Sequence, residues 1–402
     1  VTGGTGEPGA GAEPRPDVTG LPLDGIELVH LRLPLVAPWV TALGKIEHRD
    51  VLLVRVVAGG ISGWGECGAQ PEPTYTSEYV EGAADVLVRH LIPRVLRLAG
   101  PIGTDRVMPG MGTVKGHPMA KTALEVAALD ATLRHTGWSL AAYLATQCDP
   151  PAGAPPASVP AGVVVGVTGD LDLLLDEVAR RVGEGYRRVK LKIHPGWDVG
   201  PVHAVRARWG PSELLLQVDA NGSYAGVADP AAALRPLDDA GLLLVEQPLG
   251  DDDLVGHAAL GRSLRTAVCL DESITSAASA ASALALGACG VINVKAGRVG
   301  GLAEAVRIHD LCRAASVPVW CGGLLETGVG RATNLALASL PGFTLPGDLS
   351  AADRFWAADI VAEPAHLDPD GRIAVPAGPG LGVDVRTDLA PVTVRRSWFP
   401  AG

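Results

Sequence analysis

The sequence predicts an α/β fold: a (β/α)8 barrel of modified TIM type, with an N-terminal α+β capping domain completed by the C-terminal segment. Two observations carry this. Short Val/Ile/Leu-rich runs recur eight times between residues 157 and 350, with helical stretches rich in Ala, Leu, Arg and Glu between most of them. Ahead of them lies a different rhythm, strands first and helices after, and a Pro-rich breaker, DPPAGAPP (Asp149–Pro156), divides the two. Near-continuous apolar strands alternating with helices describe a parallel sheet covered on both faces. Eight such units suggest closure into a barrel.

In chain order, residues 1–24 are Gly-, Pro- and Glu-rich and lack both a basic start and an apolar run, so they read as a disordered tail rather than a signal peptide. The capping domain spans 25–150. Ile26–Leu33 and Asp50–Val57 alternate like paired strands, and Ile61–Cys67 follows a Gly59-Gly60 turn. Ser77–Leu98 and His117–His135 then repeat apolar residues at helical spacing. The eight barrel runs are Val163–Val167, Val189–Ile193, Leu214–Val218, Leu242–Glu246, Val268–Asp271, Val291–Lys295, Val317–Trp320 and Phe343–Leu345. A doubly wound open sheet is the alternative, but no G-x-G-x-x-G follows an early strand. Residues 351–402 are expected to pack back on the cap.

Bulk composition narrows the function. At 402 residues, 47% hydrophobic and 19% charged, the chain is globular and long enough for a barrel plus a second domain. A net charge of −11 argues against nucleic-acid or anionic-membrane partners, and no apolar run is long enough to span a bilayer. The six cysteines form no C-x-x-C pair and several sit in apolar runs, which points to reduced thiols in a cytoplasmic protein.

The informative residues stand at the carboxyl ends of consecutive barrel strands, the face where barrel enzymes keep their chemistry. Lys192, Asp219, Glu246, Asp271 and Lys295 follow one another at intervals of about 25 residues, one strand–helix unit each. Carboxylates brought together repel unless a cation lies between them, and oxygen donors without Cys or His favour Mg²⁺, with Mn²⁺ or another divalent ion as a substitute. A single such residue is read equally well as a salt-bridged loop carboxylate; three on successive strands are not. Lys190 and Lys192 are two apart on one strand and share a face. A lysine beside another cation loses basicity and can serve as a base, whereas surface lysines on an edge strand are the plainer reading of the dipeptide. A proton next to a carboxylate is weakly acidic, and a divalent ion on that carboxylate would stabilise the enediolate left behind.

These positions resemble the enolase superfamily in its muconate-lactonising branch, closest to o-succinylbenzoate synthases and N-acylamino acid (N-succinylamino acid) racemases. The likeness runs from Gly25 to Val385 through GWGEC (Gly63–Cys67), KLKIHPGWDV (Lys190–Val199), VDAN (Val218–Asn221), EQPL (Glu246–Leu249), CLDESI (Cys269–Ile274), GRVGG (Gly297–Gly301), CGGLLETGVGRA (Cys321–Ala332) and ASLPGFTLPGDLSAADRFW (Ala338–Trp356). The resemblance implies metal ligation by Asp219, Glu246 and Asp271. It makes Lys192 the principal acid/base, Lys190 its pKa-lowering neighbour and Lys295 the opposing base. Asn221 and Glu272 become supporting residues, with simple capping an equal reading. Arg298 resembles the arginine of members that racemise as well as dehydrate, with a surface ion pair as the alternative. Gly322, Gly323, Leu324 and Glu326 form a Gly-rich turn whose N–H groups suit a succinyl carboxylate, or else a turn that simply needs glycine. The loop around Val40–Gly44 and the segment Gln70–Tyr75 are expected to close over the mouth and choose substrate, with Tyr75 a substrate contact or else simple cap packing. Leu43 stands where an aromatic is expected and Ala296 where proline is common.

The implied activity is abstraction of a proton α to a carboxylate. It takes the form of o-succinylbenzoate synthesis (dehydration of 2-succinyl-6-hydroxy-2,4-cyclohexadiene-1-carboxylate, a menaquinone step), N-acylamino acid racemisation, or both. Dipeptide epimerase or cycloisomerase chemistry of the same branch is the enzymatic alternative, and a catalytically inactive small-molecule-binding barrel is the non-enzymatic one. The expected partners are a small carboxylate bearing a succinyl or N-acyl group and further copies of the chain in a homo-oligomer, with no nucleic acid and no membrane.

Overall fold

The computed structural model describes residues 20–41 and 44–402. Residues 1–19 of the expected tail lie outside the described residues, as does Leu43 of the loop expected over the mouth. Among the described residues, no helix is long and apolar enough to cross a membrane.

The cap is a four-stranded antiparallel sheet in the spatial order Thr393–Pro400, Leu23–Thr41, Gly44–Ala58, Ile61–Cys67. Its first two strands run longer than the sequence pattern suggests, because the hairpin resumes beyond a bulge between Pro34 and Trp39. Pro34 and Pro38 lack an N–H for the ladder, so the pairing breaks there, and Val36 donates instead to the Phe355 carbonyl at 3.0 Å. The C-terminal strand pairs from Gly25↔Pro400 to Leu31↔Thr393, so the chain's end completes the cap sheet.

The long helix Pro118–Thr136 lies on this sheet. The GWGEC stretch explains how closely. A Cβ on Gly63 would stand 2.2 Å from the Ala127 carbonyl oxygen, and one on Gly65 would stand 2.1 Å from that of Ala123. Glycine there, against an alanine-rich helix face, lets backbone meet backbone. Two helices that the sequence pattern passed over, Thr104–Met111 and Leu140–Gln147, complete the domain. Both are short, eight residues each, which is too few turns for a clear period.

The barrel's seven regular parallel strands are Val163–Val165, Arg188–Lys192, Leu215–Asp219, Val245–Glu246, Val268–Leu270, Val291–Val294 and Val319–Cys321, neighbours in space in that order. The eighth expected strand is present only as two parallel bridges, Val319↔Phe343 and Ala161↔Gly347. They join the seventh strand to the start of the first and close the ring. Pro346 cannot donate to a ladder and helps keep this seam irregular.

The cap holds the barrel through two buried carboxylates. The barrel helices Leu302–Ala314 and Gly328–Ala338 have no side-chain cap from their own N-cap residues, Gly301 and Thr327. Glu125 accepts from the N–H groups of Leu302 (2.7 Å) and Ala303 (3.3 Å). Glu66 accepts from Thr327 N (3.1 Å), Thr327 Oγ1 (2.6 Å) and Gly330 N (3.0 Å). These carboxylates supply the acceptors that free helix starts require. Burial pushes both up to about 7, against the pull of those hydrogen bonds. For Glu125 the folded state therefore binds its proton up to a higher pH than the unfolded chain. The resulting stability is complete below the ordinary value of 4.5 and is lost as pH rises through about 7. Thermal melts of wild type and Glu125→Gln are expected to show a difference in favour of wild type that is larger near pH 5 than near pH 8. A constant difference would mean an ionised Glu125 throughout.

Candidate active site

The second barrel strand reads Arg188-Val189-Lys190-Leu191-Lys192, and strand alternation turns all three basic residues to one face. Each ends in a different setting. Lys192 Nζ, at the mouth, donates to Asp219 Oδ2 and Asn221 Oδ1, both at 2.6 Å. Lys190, one layer deeper and buried, reaches Asp348 Oδ2 (2.6 Å), Glu246 Oε2 (2.9 Å) and Asp219 Oδ2 (3.1 Å). Its ammonium also lies 4.9 Å from the Trp320 ring centre. Burial alone would lower its pKa, but Asp348, Glu246 and Asp219 outweigh it and hold it above the usual lysine range. Lys190 is thus a cation matched by three carboxylates.

Asp219 and Glu246 stand opposite each other in register on neighbouring strands and converge on Lys190. Burial works to raise Asp219, yet Lys192 and Lys190 draw it far below the carboxylate range. Glu246 goes the other way, raised by burial and then by Asp219. Its second oxygen accepts from Asn293 Nδ2 at 2.7 Å. Asp271 belongs to the far wall. It pairs with Lys295 Nζ at 2.5 Å, with Arg298, and with Tyr75 Oη at 3.0 Å. Tyr75, from the cap, also accepts from Lys295 (3.0 Å) and Arg298 (3.1 Å). Arg298 is fully buried and bonded to the Ile274 and Asn293 carbonyls, so the alternative of a surface ion pair does not describe it.

Two residues that follow the carboxylate-bearing strand ends adopt left-handed backbone, Asn221 (φ 43°) and Gln247 (φ 38°). Such conformations are costly for side-chain-bearing residues and gather where surroundings impose them. Gln247 is fixed by its own amide, which accepts from Asp271 N (2.9 Å) and donates to Ser273 Oγ (2.8 Å). Asn221 donates to Glu272 Oε1 at 2.8 Å, tying Glu272 to Lys192 through one amide. Burial, then Asp219, raises Glu272 to about 7, and its buried Oε2 has no hydrogen-bond partner among the described residues.

In the Gly-rich turn, two of the N–H groups are already engaged. Gly322 N donates to Val294 O at 3.1 Å and Leu324 N to Glu326 Oε1 at 2.7 Å, so neither faces a ligand. Glu326 braces the turn, bonded also to Asn334 at 2.8 Å, and Gly322 passes so close to Asn293 and Lys295 that a Cβ would meet them at 2.4 Å. Gly323 and Leu324 do line the cavity, together with Leu325, whose backbone is left-handed (φ 60°).

A cavity of about 730 Å³ joins these groups between barrel mouth and cap, with Lys190, Lys192, Asp219, Asp271, Lys295 and Tyr75 among its walls. Asp219, Glu246 and Asp271 offer only carboxylate oxygens, the donor set of a hard divalent cation. Two observations fit that group: Asp219 and Glu246 already converge on one ammonium, and Glu272 leaves a buried oxygen unpartnered beside them. Asp271 is held toward the opposite wall by Lys295 and Arg298. Elsewhere, Cys148, His309 and Asp310 bring three metal-capable atoms within 4.8 Å. There His309 Nε2 accepts from Gly342 N at 2.9 Å, which places the proton on Nδ1 facing Asp310 at 2.8 Å and leaves no lone pair for a cation. Sequence reasoning passed over Asp348, Arg188, Asn293 and Trp320. Asp348 carried a usable signal, standing just past the eighth apolar run as the assigned carboxylates stand at theirs.

Residues 174–389 match the family described as Enolase C-terminal domain-like. Residues 25–144 match the Mandelate racemase / muconate lactonizing enzyme, N-terminal domain. An N-succinylamino acid racemase of Amycolatopsis sp is 51% identical over 94% of this chain and 99% of its own. An o-succinylbenzoate synthase of Bacillus subtilis is 42% identical over 91% and 95%. The crystal structure of an enolase-superfamily member from Listeria innocua superposes with a TM-score of 0.88 at 36% identity, covering 95% of this chain and 100% of the other.

Proposed function

Because this chain belongs to the mandelate racemase / muconate lactonizing enzyme family of the enolase superfamily, we propose that it removes a proton α to the carboxylate of a succinyl-bearing substrate, serving both o-succinylbenzoate synthesis and N-succinylamino acid racemisation. The observation that carries this is the placement of Lys192 and Lys295 on the second and sixth strand ends of an eight-unit ring, across one cavity, each beside a carboxylate of the same set. In racemisation, one lysine as the neutral amine takes the proton from its face, and the other as the ammonium returns one to the opposite face. In dehydration, Lys192 takes the α-proton and then protonates the departing hydroxide, while Lys295 stays protonated and faces the developing charge. Asp219, Glu246 and Asp271 would hold Mg²⁺ or Mn²⁺. The ion when bound supplies positive charge that stabilises the enediolate. Tyr75 and Arg298 keep Lys295 aimed at the cavity through the bonds described above.

The dual reading is favoured over synthase alone by Arg298, because it holds Asp271 and Tyr75, the two partners of Lys295, on the wall that only racemisation needs as a base. The reading also includes a homo-oligomer in the cytoplasm. The test is turnover of 2-succinyl-6-hydroxy-2,4-cyclohexadiene-1-carboxylate and of N-succinylphenylglycine, with Mg²⁺ and after chelation. Both reactions are expected, and both are expected to cease without the metal. Dehydration alone would reduce the protein to a synthase, and turnover in chelator would sink the metal assignment.

A further inference from the structure

Lys190 is neutralised by three carboxylates, and two of them, Asp219 and Glu246, are assigned above to a divalent ion. Oxygens that ligate a dication no longer neutralise a neighbouring ammonium, and the two cations repel. Something must then keep Lys190 in place. Asp348 is the one partner of the three outside the ligand set, and its seat does not depend on Lys190. Its Oδ1 accepts from Arg188 Nη1 at 2.5 Å, and its backbone N–H donates to Cys321 O at 2.9 Å. Arg188 is anchored in turn on the Pro346 carbonyl, from Nε at 3.1 Å and Nη2 at 2.6 Å, and lies 5.1 Å from the centre of the Trp320 ring that Lys190 also approaches. The side chains of Arg188, Lys190 and Trp320 are buried and that of Asp348 is only 8% exposed, a setting where a charge without a partner is costly.

We propose that Asp348 is a positioning residue: the fixed counter-ion that holds Lys190 on Trp320, in place of Asp219 and Glu246, when those two ligate the divalent ion. The inference rests on the metal assignment above. Asp348 touches neither ion nor substrate in this role. It acts through Lys190, so its removal should be felt as metal affinity.

The experiment is an Mn²⁺ titration of metal-free protein, followed by the EPR signal of the free ion, for wild type, Asp348→Asn, Lys190→Met and the double variant. Asp348→Asn is expected to weaken Mn²⁺ binding about ten- to hundredfold, the range for residues supporting metal ligands. In the Lys190→Met background the same change is expected to have less than about a twofold effect, because no ammonium remains to be neutralised. An equal loss in both backgrounds, or no loss in either, overturns the proposal. Should Asp348→Asn not fold, Lys190→Met alone decides: it is expected to bind Mn²⁺ at least as tightly as wild type, and weaker binding overturns the proposal. Wild-type protein that takes up no Mn²⁺ would instead overturn the metal assignment, and this inference with it.

Discussion

Lys192→Ala is expected to lower kcat about 10²- to 10⁴-fold for dehydration and racemisation alike, the range for loss of a positioned acid/base. The loss should fall on kcat more than on KM, because the ammonium's contacts are with Asp219 and Asn221 and its proposed task is proton transfer. Asp219 keeps Lys190 as a partner in the variant, so folding and metal uptake should survive. Steady-state kinetics with both substrates, alongside Mn²⁺ binding, would check this. Near-normal dehydration in the variant would assign the α-proton to another group.

Lys295→Ala separates the two reactions further. Racemisation needs a proton carrier on each face, so interconversion of N-succinylamino acid enantiomers is expected to fall by at least about 10³-fold. One enantiomer should still exchange its α-hydrogen for deuterium in D₂O, because Lys192 remains on its own face. Lys192→Ala should show the mirror result, with exchange confined to the other enantiomer. NMR of each enantiomer incubated separately reads this directly. Exchange of both enantiomers in either variant would disprove a division of labour by face. Asp271 retains Arg298 and Tyr75 in the Lys295 variant, which guards against a trivial collapse of that wall.

Much of this was legible in the chain because strand ends repeat. The apolar runs located the barrel, and counting from one to the next placed Lys192, Asp219, Glu246, Asp271 and Lys295 at one mouth. What periodicity conveys is which residues share a face or an end; it does not convey which partner each side chain takes. Lys190 was therefore read as a neighbouring cation, although three carboxylates surround it. The same limit applies at the Gly-rich turn. Its glycines announced a tight bend, but whether Leu324 N–H points at a ligand or at Glu326 depends on a side chain two residues on. Asp348 was missed because it stands three residues past its short apolar run, beyond Pro346 and Gly347, whereas Asp219, Glu246 and Asp271 stand at or next to the ends of theirs.

Glu66 and Glu125 bear on how such enzymes can be recombined. Each leaves the cap to finish a helix of the barrel, and Gly301 must lack a side chain because a Cβ would lie 2.2 Å from Glu125 Oε2. The boundary between domains thus runs through two helix starts rather than along the linker. A chimera joined at Asp149–Pro156 would separate these pairs while leaving the chain continuous. The exchangeable module is the cap together with the turns at Gly301 and Thr327, and a graft that carries one side alone would leave a barrel with two open helix ends beneath a cap with two stranded acids.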